Sequence, residues 1–328
     1  MATKQPMITL SNNVQMPQVG LGTWQVTMAT KQPMITLSNN VQMPQVGLGT
    51  WQTGYRLIDT AAVYENEAAI GEEIRELIKE RKIIRSDVFI TTKVWVTHLY
   101  PEGIMESARE SLRQLQMDYI DLLLAHMPTC FNHDMTAQKK SVKVEDIWRG
   151  LESVYKKGMA RAIGVSNWNA EQIERVMKIA TVPIHNVQVE LHIYWPQHEL
   201  HELCKKHNIA LTSYATMGSP GRAKFMPDKF GWKGASNALE DPNVKKLAEK
   251  YDKSPAQILL RYAMDRGIAV IPKSVKPSRV ADNFKLFDFK LSPEEIKQLE
   301  SSGHRQRLFM NDFMKGHPED PFAKERKD

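Results

Sequence analysis

Apolar runs alternate along this chain with longer amphipathic segments in a regular order. The runs Arg56–Thr60 and Val88–Lys93 are rich in aliphatic and β-branched residues, which is typical of buried strands. Each run precedes a segment with apolar residues at helical spacing, near Glu65–Lys79 and Pro101–Met117 respectively. This alternation predicts a parallel sheet whose strands are joined by crossover helices.

The alternation continues along the rest of the chain. It predicts further strands at 119–126, 161–166, 186–191, 210–215 and 269–273, and further helices near 144–157, 197–206, 241–251, 254–266 and 277–287. Capping boxes mark helix starts at Asn169, Ser254 and Ser292. Seven strand-then-helix units are visible, and one strand from the N-terminal region makes eight. That count favours an α/β fold, a (β/α)8 TIM barrel forming one domain over residues 1–328, rather than an open doubly wound sheet.

The N-terminal region contains an internal repeat. Residues 1–25 recur without change at 28–52. Each copy predicts a β-hairpin around a Ser-Asn-Asn turn, followed by a short strand Val-Gly-Leu-Gly-Thr. Two identical copies are too few and too similar for a repeat architecture. They indicate a duplicated first exon, a splice variant or a gene-model error.

The repeat makes the first β/α unit abnormal. Only three residues, 52–54, separate Trp51 from Tyr55, whereas two parallel neighbours need a crossover of about a dozen residues or more. The second copy therefore cannot supply the first strand. We expect the first copy to form the hairpin and that strand, with residues 28–53 replacing the crossover helix as irregular structure or a spare hairpin. Pro33 and Pro44 make that segment a poor helix, and a barrel without this covering helix should be less stable.

Composition limits the classes of function. Of the 328 residues 42% are hydrophobic and 25% charged, which suits a large core. The net charge of +6 is modest and both signs are interspersed, so we expect no nucleic-acid partner. No apolar run approaches the roughly 18 residues of a membrane span, and residues 1–7 lack a secretory signal. Two cysteines, Cys130 and Cys204, make no disulfide framework, so we expect a cytoplasmic protein without membrane attachment. We also expect a monomer.

Four polar residues lie at or just past the ends of three successive predicted strands: Asp59, Tyr64, Lys93 and His126. In a parallel barrel these strand ends open onto one face. A lysine ammonium beside a phenol is expected to lower the phenol pKa, and a carboxylate keeps the ammonium charged. A histidine can orient a carbonyl. The four residues together predict a proton donor for carbonyl reduction.

Competing motifs are incomplete. The Gly-Leu-Gly-Thr-Trp-Gln segment lacks the third glycine or alanine of a dinucleotide fingerprint. No Tyr-x-x-x-Lys pair is present, and no Cys/His spacing suggests a metal site. We interpret His192, His198 and His201 as residues that cap or cover a helix.

Two long segments carry a resemblance to a known family. The segment from Gly54 to Gly71 (GYRLIDTAAVYENEAAIG) resembles the active-site motif of the aldo-keto reductases, and 271–284 (IPKSVKPSRVADNF) resembles their cofactor-phosphate motif. The segments 163–167 and 186–190 are similar to the nicotinamide-binding segments of that family. The aldose/aldehyde reductase-like group is the nearest in pattern.

The resemblance implies a role for each matching residue. Tyr64 would be the general acid, tuned by Asp59 and Lys93, and His126 would position the carbonyl. The cofactor would be NADPH/NADP+, held by Ser166, Asn167, Gln188, Tyr214, Met217, Ser219, Lys273, Ser274, Arg279 and Asn283. Lys273 and Arg279 also flank a predicted helix start, a favourable place for a phosphate.

Departures from the family pattern concern the substrate pocket, to which we assign Trp24, Trp95 and Met127. Met127 stands where many relatives carry Trp, which replaces a rigid indole by a flexible thioether. The loops 130–143 and 218–237 and the tail after Gly303 should shape specificity. Small aldehydes, sugar aldehydes and quinone-like or lipid carbonyls all remain open. The alternative is a catalytically impaired isoform that binds NADPH or a protein partner without efficient turnover.

Overall fold

The computed structural model of the chain describes residues 5–24, 34–36, 42–44, 53–221 and 237–327. An eight-stranded parallel sheet runs through these residues in the order β3-β6-β7-β8-β9-β10-β11-β12. Its strands are β3 (Gly20–Gly22), β6 (Leu57–Asp59), β7 (Phe89–Val94), β8 (Leu122–Ala125), β9 (Ile163–Ser166), β10 (Asn186–Glu190), β11 (Ala210–Tyr214) and β12 (Ala269–Val270). A parallel bridge between Val19 and Val270 joins the two end strands and closes the barrel that the sequence predicts.

Helices cover the outside of the barrel. Those described are α1 (Glu67–Lys79), α2 (Pro101–Leu115), α3 (Val144–Lys156), α4 (Ala170–Met177), α5 (His198–Lys206), α6 (Pro242–Tyr251), α7 (Pro255–Asp265), α8 (Pro277–Phe284) and α9 (Pro293–Glu300). The capping boxes at Asn169, Ser254 and Ser292 form as predicted. No helix in the described part of the chain has the length and apolar character needed to cross a membrane.

The first copy of the repeat supplies both a hairpin and the first barrel strand, as predicted. Strands β1 (Met7–Thr9) and β2 (Gln15–Pro17) pair antiparallel. Leu10 and Met16 are fully buried in a cluster with inward residues of the barrel strands. Strand β3 follows directly and pairs with β6.

The second copy forms a separate hairpin. Strands β4 (Met34–Thr36) and β5 (Gln42–Pro44) pair antiparallel, and their register, Met34 opposite Pro44, repeats that of β1 and β2. The spare hairpin is thus present. Residues 25–33, 37–41 and 45–52 lie outside the described residues, as does most of the segment predicted to replace the crossover helix.

The barrel closes at a glycine. A Cβ atom on Gly22 would lie 2.7 Å from the carbonyl oxygen of Ile271, closer than such contacts occur. The Gly22 amide donates to Pro272 O at 3.3 Å across the same seam. Strand β3 can therefore approach β12 only because residue 22 lacks a side chain.

Candidate active site

A buried ion pair forms the base of the site. Lys93 on β7 is 1% exposed, and its Nζ donates to Asp59 Oδ1 at 2.6 Å and to Thr60 O at 2.8 Å. The other carboxylate oxygen of Asp59 accepts from Gln188 Nε2 at 2.7 Å. Burial lowers the pKa of Lys93, and the adjacent Asp59 opposes that effect. Hydrogen bonds thus link side chains from three barrel strands: Asp59 on β6, Lys93 on β7 and Gln188 on β10.

Tyr64 and His126 lie next to this ion pair. Tyr64 ends a short 3₁₀ turn, Ala62–Tyr64, just after β6, and its ring centroid lies 5.2 Å from Lys93 Nζ. The rings of Tyr64 and His126 are 5.7 Å apart, edge to face. The structure therefore brings together the four residues that the sequence singles out.

The pKa of Tyr64 is raised, so the expectation that Lys93 lowers it is wrong. Although Tyr64 is only half-buried overall, burial raises its pKa well above 10.0, and the negative charge of Asp59 and the nearby Tyr214 add to this. The Lys93 ammonium is paired with the Asp59 carboxylate in a salt bridge. Tyr64 is therefore a neutral phenol at ordinary pH, the form that can donate a proton.

His126 is held in its neutral form. Burial and the positive charge of Lys93 keep the pKa of His126 well below 6.5. Its Nδ1 is buried and has no hydrogen-bond partner among the described residues. A neutral imidazole with an unused ring nitrogen can exchange a hydrogen bond with a polar atom of a bound molecule.

The residues assigned to the nicotinamide lie beside His126. Asn167 has a left-handed backbone, φ 63°, and its Nδ2 donates to His126 O at 2.9 Å and to Ser166 Oγ at 3.1 Å. Tyr214, at the end of β11, is half-exposed and donates to Asn167 Oδ1 at 2.7 Å. Gln188 is turned to Asp59, so its amide links this group to the ion pair.

The two loop residues assigned to the cofactor, Met217 and Ser219, follow β11. Both are half-buried, and Ser219 has a positive φ of 48°. Residues 222–236 lie outside the described residues, and most of the predicted specificity loop 218–237 falls among them.

The predicted phosphate site surrounds the start of α8. Lys273 and Arg279 are exposed, whereas Ser274 and Asn283 are buried. Ser274 Oγ accepts from the Lys276 backbone amide at 3.2 Å, just before the helix begins at Pro277. Two exposed cations and a helix N-terminus are a favourable combination for an anion.

The predicted pocket residues form an aromatic wall with the C-terminal tail. Trp95 lies 5.1 Å from His126 and 5.9 Å from Phe313, measured between ring centroids. Trp24 is 42% exposed and meets Phe309 at 6.0 Å. Met127 is buried, and its sulfur accepts from Asn311 Nδ2 at 3.9 Å.

Sequence reasoning did not single out Phe309 or Phe313. It predicted only that the tail after Gly303 shapes specificity. The phenylalanines of the tail were the available signal, but the contacts of Phe309 and Phe313 join positions far apart in the chain. Phe309, for example, packs on Tyr214 at 5.4 Å.

Comparisons with known proteins agree with this geometry. The sequence model described as "Aldo/keto reductase family" matches residues 18–303. The chain is 38% identical over 313 residues to "Aldo-keto reductase family 1 member A1" of Gallus gallus, covering 92% of this chain and 90% of that protein. The structure of a Bombyx mori aldo-keto reductase in complex with NADP superposes with a TM-score of 0.85 at 34% identity, covering 98% of this chain and 100% of that one. The aldose reductase of Schistosoma japonicum gives a TM-score of 0.83 at 31% identity, with the same coverage.

Proposed function

Because this chain belongs to the aldo/keto reductase family, we propose that it reduces aldehydes or ketones to alcohols by hydride transfer, with Tyr64 as the general acid. The chain is an NADP-dependent oxidoreductase acting on carbonyl groups, and its cofactor is NADPH/NADP+. One observation supports the role of Tyr64 above all. The chain of contacts from Gln188 through Asp59 to Lys93 ends beneath the Tyr64 ring, beside a neutral His126.

The residues present fit this cofactor. Ser166 and Asn167 place polar groups beside His126, and the half-exposed Tyr214 offers an aromatic surface next to them. Lys273 and Arg279 can neutralise a phosphate dianion at the start of α8. Once bound, NADPH supplies the hydride for the carbonyl carbon.

The proton comes from the protein. As negative charge develops on the carbonyl oxygen, Tyr64 donates its phenolic proton to that oxygen. The Lys93 ammonium, 5.2 Å from the ring centroid, offsets part of the cost of the phenolate that remains, while burial and Asp59 keep the pKa of Tyr64 high overall. Asp59 keeps that ammonium charged against the effect of burial.

His126 orients the carbonyl. Its neutral ring carries one N–H donor that can bind the carbonyl oxygen without competing for the proton of Tyr64. Trp95 packs edge to face against the His126 ring at 5.1 Å and restricts its rotation. The hydrogen bond from Asn167 Nδ2 to His126 O fixes the backbone at the same residue.

We also propose a cytoplasmic monomer. Cys130 and Cys204 are both free and buried, which suits a reducing compartment. Light scattering during gel filtration would give a mass near the 37.6 kDa of one chain, and a mass near twice that value would contradict the proposal.

A second candidate is an isoform that binds NADPH or a protein partner without efficient turnover. The observation that favours it is the second hairpin, which the duplication inserts between β3 and β6. Asp59 and Tyr64 follow this insertion directly.

The experiment that separates the two candidates measures NADPH binding and NADPH oxidation on the same preparation. The leading proposal predicts saturable binding together with oxidation that depends on added carbonyl, across a panel of small, sugar and aromatic aldehydes. Binding without oxidation of NADPH by any carbonyl would favour the second candidate.

A further inference from the structure

A buried carboxylate outside the four central residues connects the barrel to the C-terminal tail. Glu190 ends β10 and is fully buried. It lies two residues after Gln188, so both side chains leave the same face of the strand. Gln188 binds Asp59, whereas Glu190 binds the tail.

Three donors satisfy the Glu190 carboxylate. Oε1 accepts from the backbone amide of Leu308 and from His192 Nε2, the latter at 2.9 Å, and Oε2 accepts from the amide of Phe309 at 2.8 Å. The Tyr194 amide donates to the other His192 nitrogen at 3.3 Å, so the hydrogen-bond network assigns the proton to Nε2. The described hydrogen bonds of the His192 ring thus go to the carboxylate and to the Tyr194 amide, and not to a helix end.

The carboxylate is held in its charged form. Burial alone would raise the pKa of Glu190, but the contact with His192, the charge of Arg307 and the Leu308 amide together hold it below its usual value. Hydrogen bonds from backbone amides to a buried carboxylate are strong. The tail backbone is thus fixed at two consecutive residues.

The fixed tail residue reaches the proposed site. The Phe309 ring lies 5.4 Å from the Tyr214 ring and 6.0 Å from the Trp24 ring. Tyr214 in turn donates to Asn167, whose side chain donates to the His126 carbonyl. An unbroken series of contacts therefore runs from Glu190 to the residue that orients the carbonyl.

We propose that Glu190 is a positioning residue that fixes Phe309 as a wall of the substrate pocket and thereby sets the affinity for bulky apolar carbonyls. The inference rests on the proposed carbonyl reductase function. A large aromatic or aliphatic carbonyl fills the space up to Phe309, and a small aldehyde does not. Glu190 acts through Phe309 and touches no reacting atom.

The substitution Glu190→Gln tests this proposal, because glutamine keeps the volume but has one acceptor oxygen for two backbone amides. We expect the KM of a bulky aromatic aldehyde to rise about tenfold, and its kcat and the KM of a small aliphatic aldehyde to change less than about threefold. Phe309→Ala should reproduce that pattern. In the Phe309→Ala background, Glu190→Gln should have no further effect on KM.

Glu319→Gln is the matched control. Glu319 is another buried carboxylate in the tail, and its side chain accepts hydrogen bonds from Arg175 at 2.8 Å and from Gln172 at 3.2 Å. It should leave the KM of both aldehydes unchanged. Additive effects of Glu190→Gln and Phe309→Ala, or a Phe309→Ala enzyme with normal KM for the bulky substrate, would overturn the proposal. Because Phe309→Ala removes no buried charge, the proposal stays testable if Glu190→Gln does not fold.

Amide hydrogen exchange provides a readout that needs no turnover. Peptides covering Leu308 and Phe309 should exchange at least about tenfold faster in Glu190→Gln than in the parent, and peptides of α2 should not change. Unchanged tail exchange would contradict the anchoring by Glu190 whether or not the protein oxidises NADPH. A protein with faster tail exchange but no turnover would contradict the proposed function and leave the anchor standing.

Discussion

Tyr64 and His126 have opposite pKa shifts with the same main cause. Burial disfavours the charged form of each, so it raises the pKa of the phenol and lowers that of the imidazole. Lys93 adds to the shift of His126, whereas Asp59 adds to that of Tyr64. Both groups are consequently neutral over the range in which most enzymes work, which is the form that each needs for its proposed role, Tyr64 as proton donor and His126 as the residue that orients the carbonyl.

This arrangement predicts a flat pH profile for kcat/KM. Tyr64 is an active acid below its pKa, which lies well above 10.0, and His126 is neutral above its pKa, which lies well below 6.5. Activity is therefore lost only as the pH rises through the first value or falls through the second. We expect constant kcat/KM between about pH 7 and about pH 9, measured with a saturating cofactor. A break near pH 8 would mean that the effect of Lys93 on the pKa of Tyr64 outweighs burial and the charge of Asp59.

At the scale of elements, the three-residue strand β3 holds two parts of the barrel together. It joins β6 on one side and closes the barrel against β12 on the other. Thr23, just beyond it, donates through both its amide and its hydroxyl to Asp59 O, at 3.0 Å and 2.9 Å. The first copy of the repeat therefore supports the strand that carries Asp59.

Two identical copies allow a matched pair of substitutions. Gly22 of the first copy corresponds to Gly49 of the second. Because a Cβ on Gly22 would meet Ile271 O at 2.7 Å, Gly22→Ala should lower the free energy of unfolding by about 1–3 kcal/mol. Gly49→Ala should leave it within about 0.5 kcal/mol. Urea unfolding of both variants gives the comparison, and a larger loss for Gly49→Ala would assign the barrel strand to the second copy.

Sequence patterns predicted the strands and helices well, because each of these elements depends mainly on residues close together in the chain. The capping boxes at Ser254 and Ser292 and the strand end at Asp59 are examples, and β7 ends at Val94, one residue past the predicted end at Lys93. Even the choice between identical copies followed from spacing, since three residues cannot form a crossover.

The remaining features depend on distant contacts. Glu190 meets Leu308 across 118 positions, and no periodic pattern connects them. The predicted lowering of the Tyr64 pKa is wrong for the same reason. The shift depends on how far distant parts of the chain bury the phenol and on the pairing of Lys93 with Asp59.

The whole molecule is a barrel that holds the proposed acid Tyr64, the Lys93–Asp59 salt bridge and the His126 imidazole at one end. The opening of that end is bordered by the C-terminal tail, which Glu190 ties to the barrel. The residues proposed to hold the cofactor lie at the start of α8 and at the ends of β9 and β11. In this proposal, catalysis and substrate choice are therefore assigned to separate parts of one fold.

The central claim is that Tyr64 gives the proton. Tyr64→Phe keeps the ring over Lys93 and removes only the hydroxyl, so NADPH affinity should stay the same and the rate of NADPH oxidation by an aldehyde should fall at least about 100-fold. Tyr262→Phe is the control for a nonspecific loss of activity. Tyr262 lies on the outer helix α7, and its buried hydroxyl donates to Glu300 at 2.6 Å. The single most direct measurement is the single-turnover rate of the NADPH-loaded enzymes. A Tyr64→Phe rate within about threefold of the parent would contradict the account, and a loss of at least about 100-fold, with Tyr262→Phe near the parent, is the result it predicts.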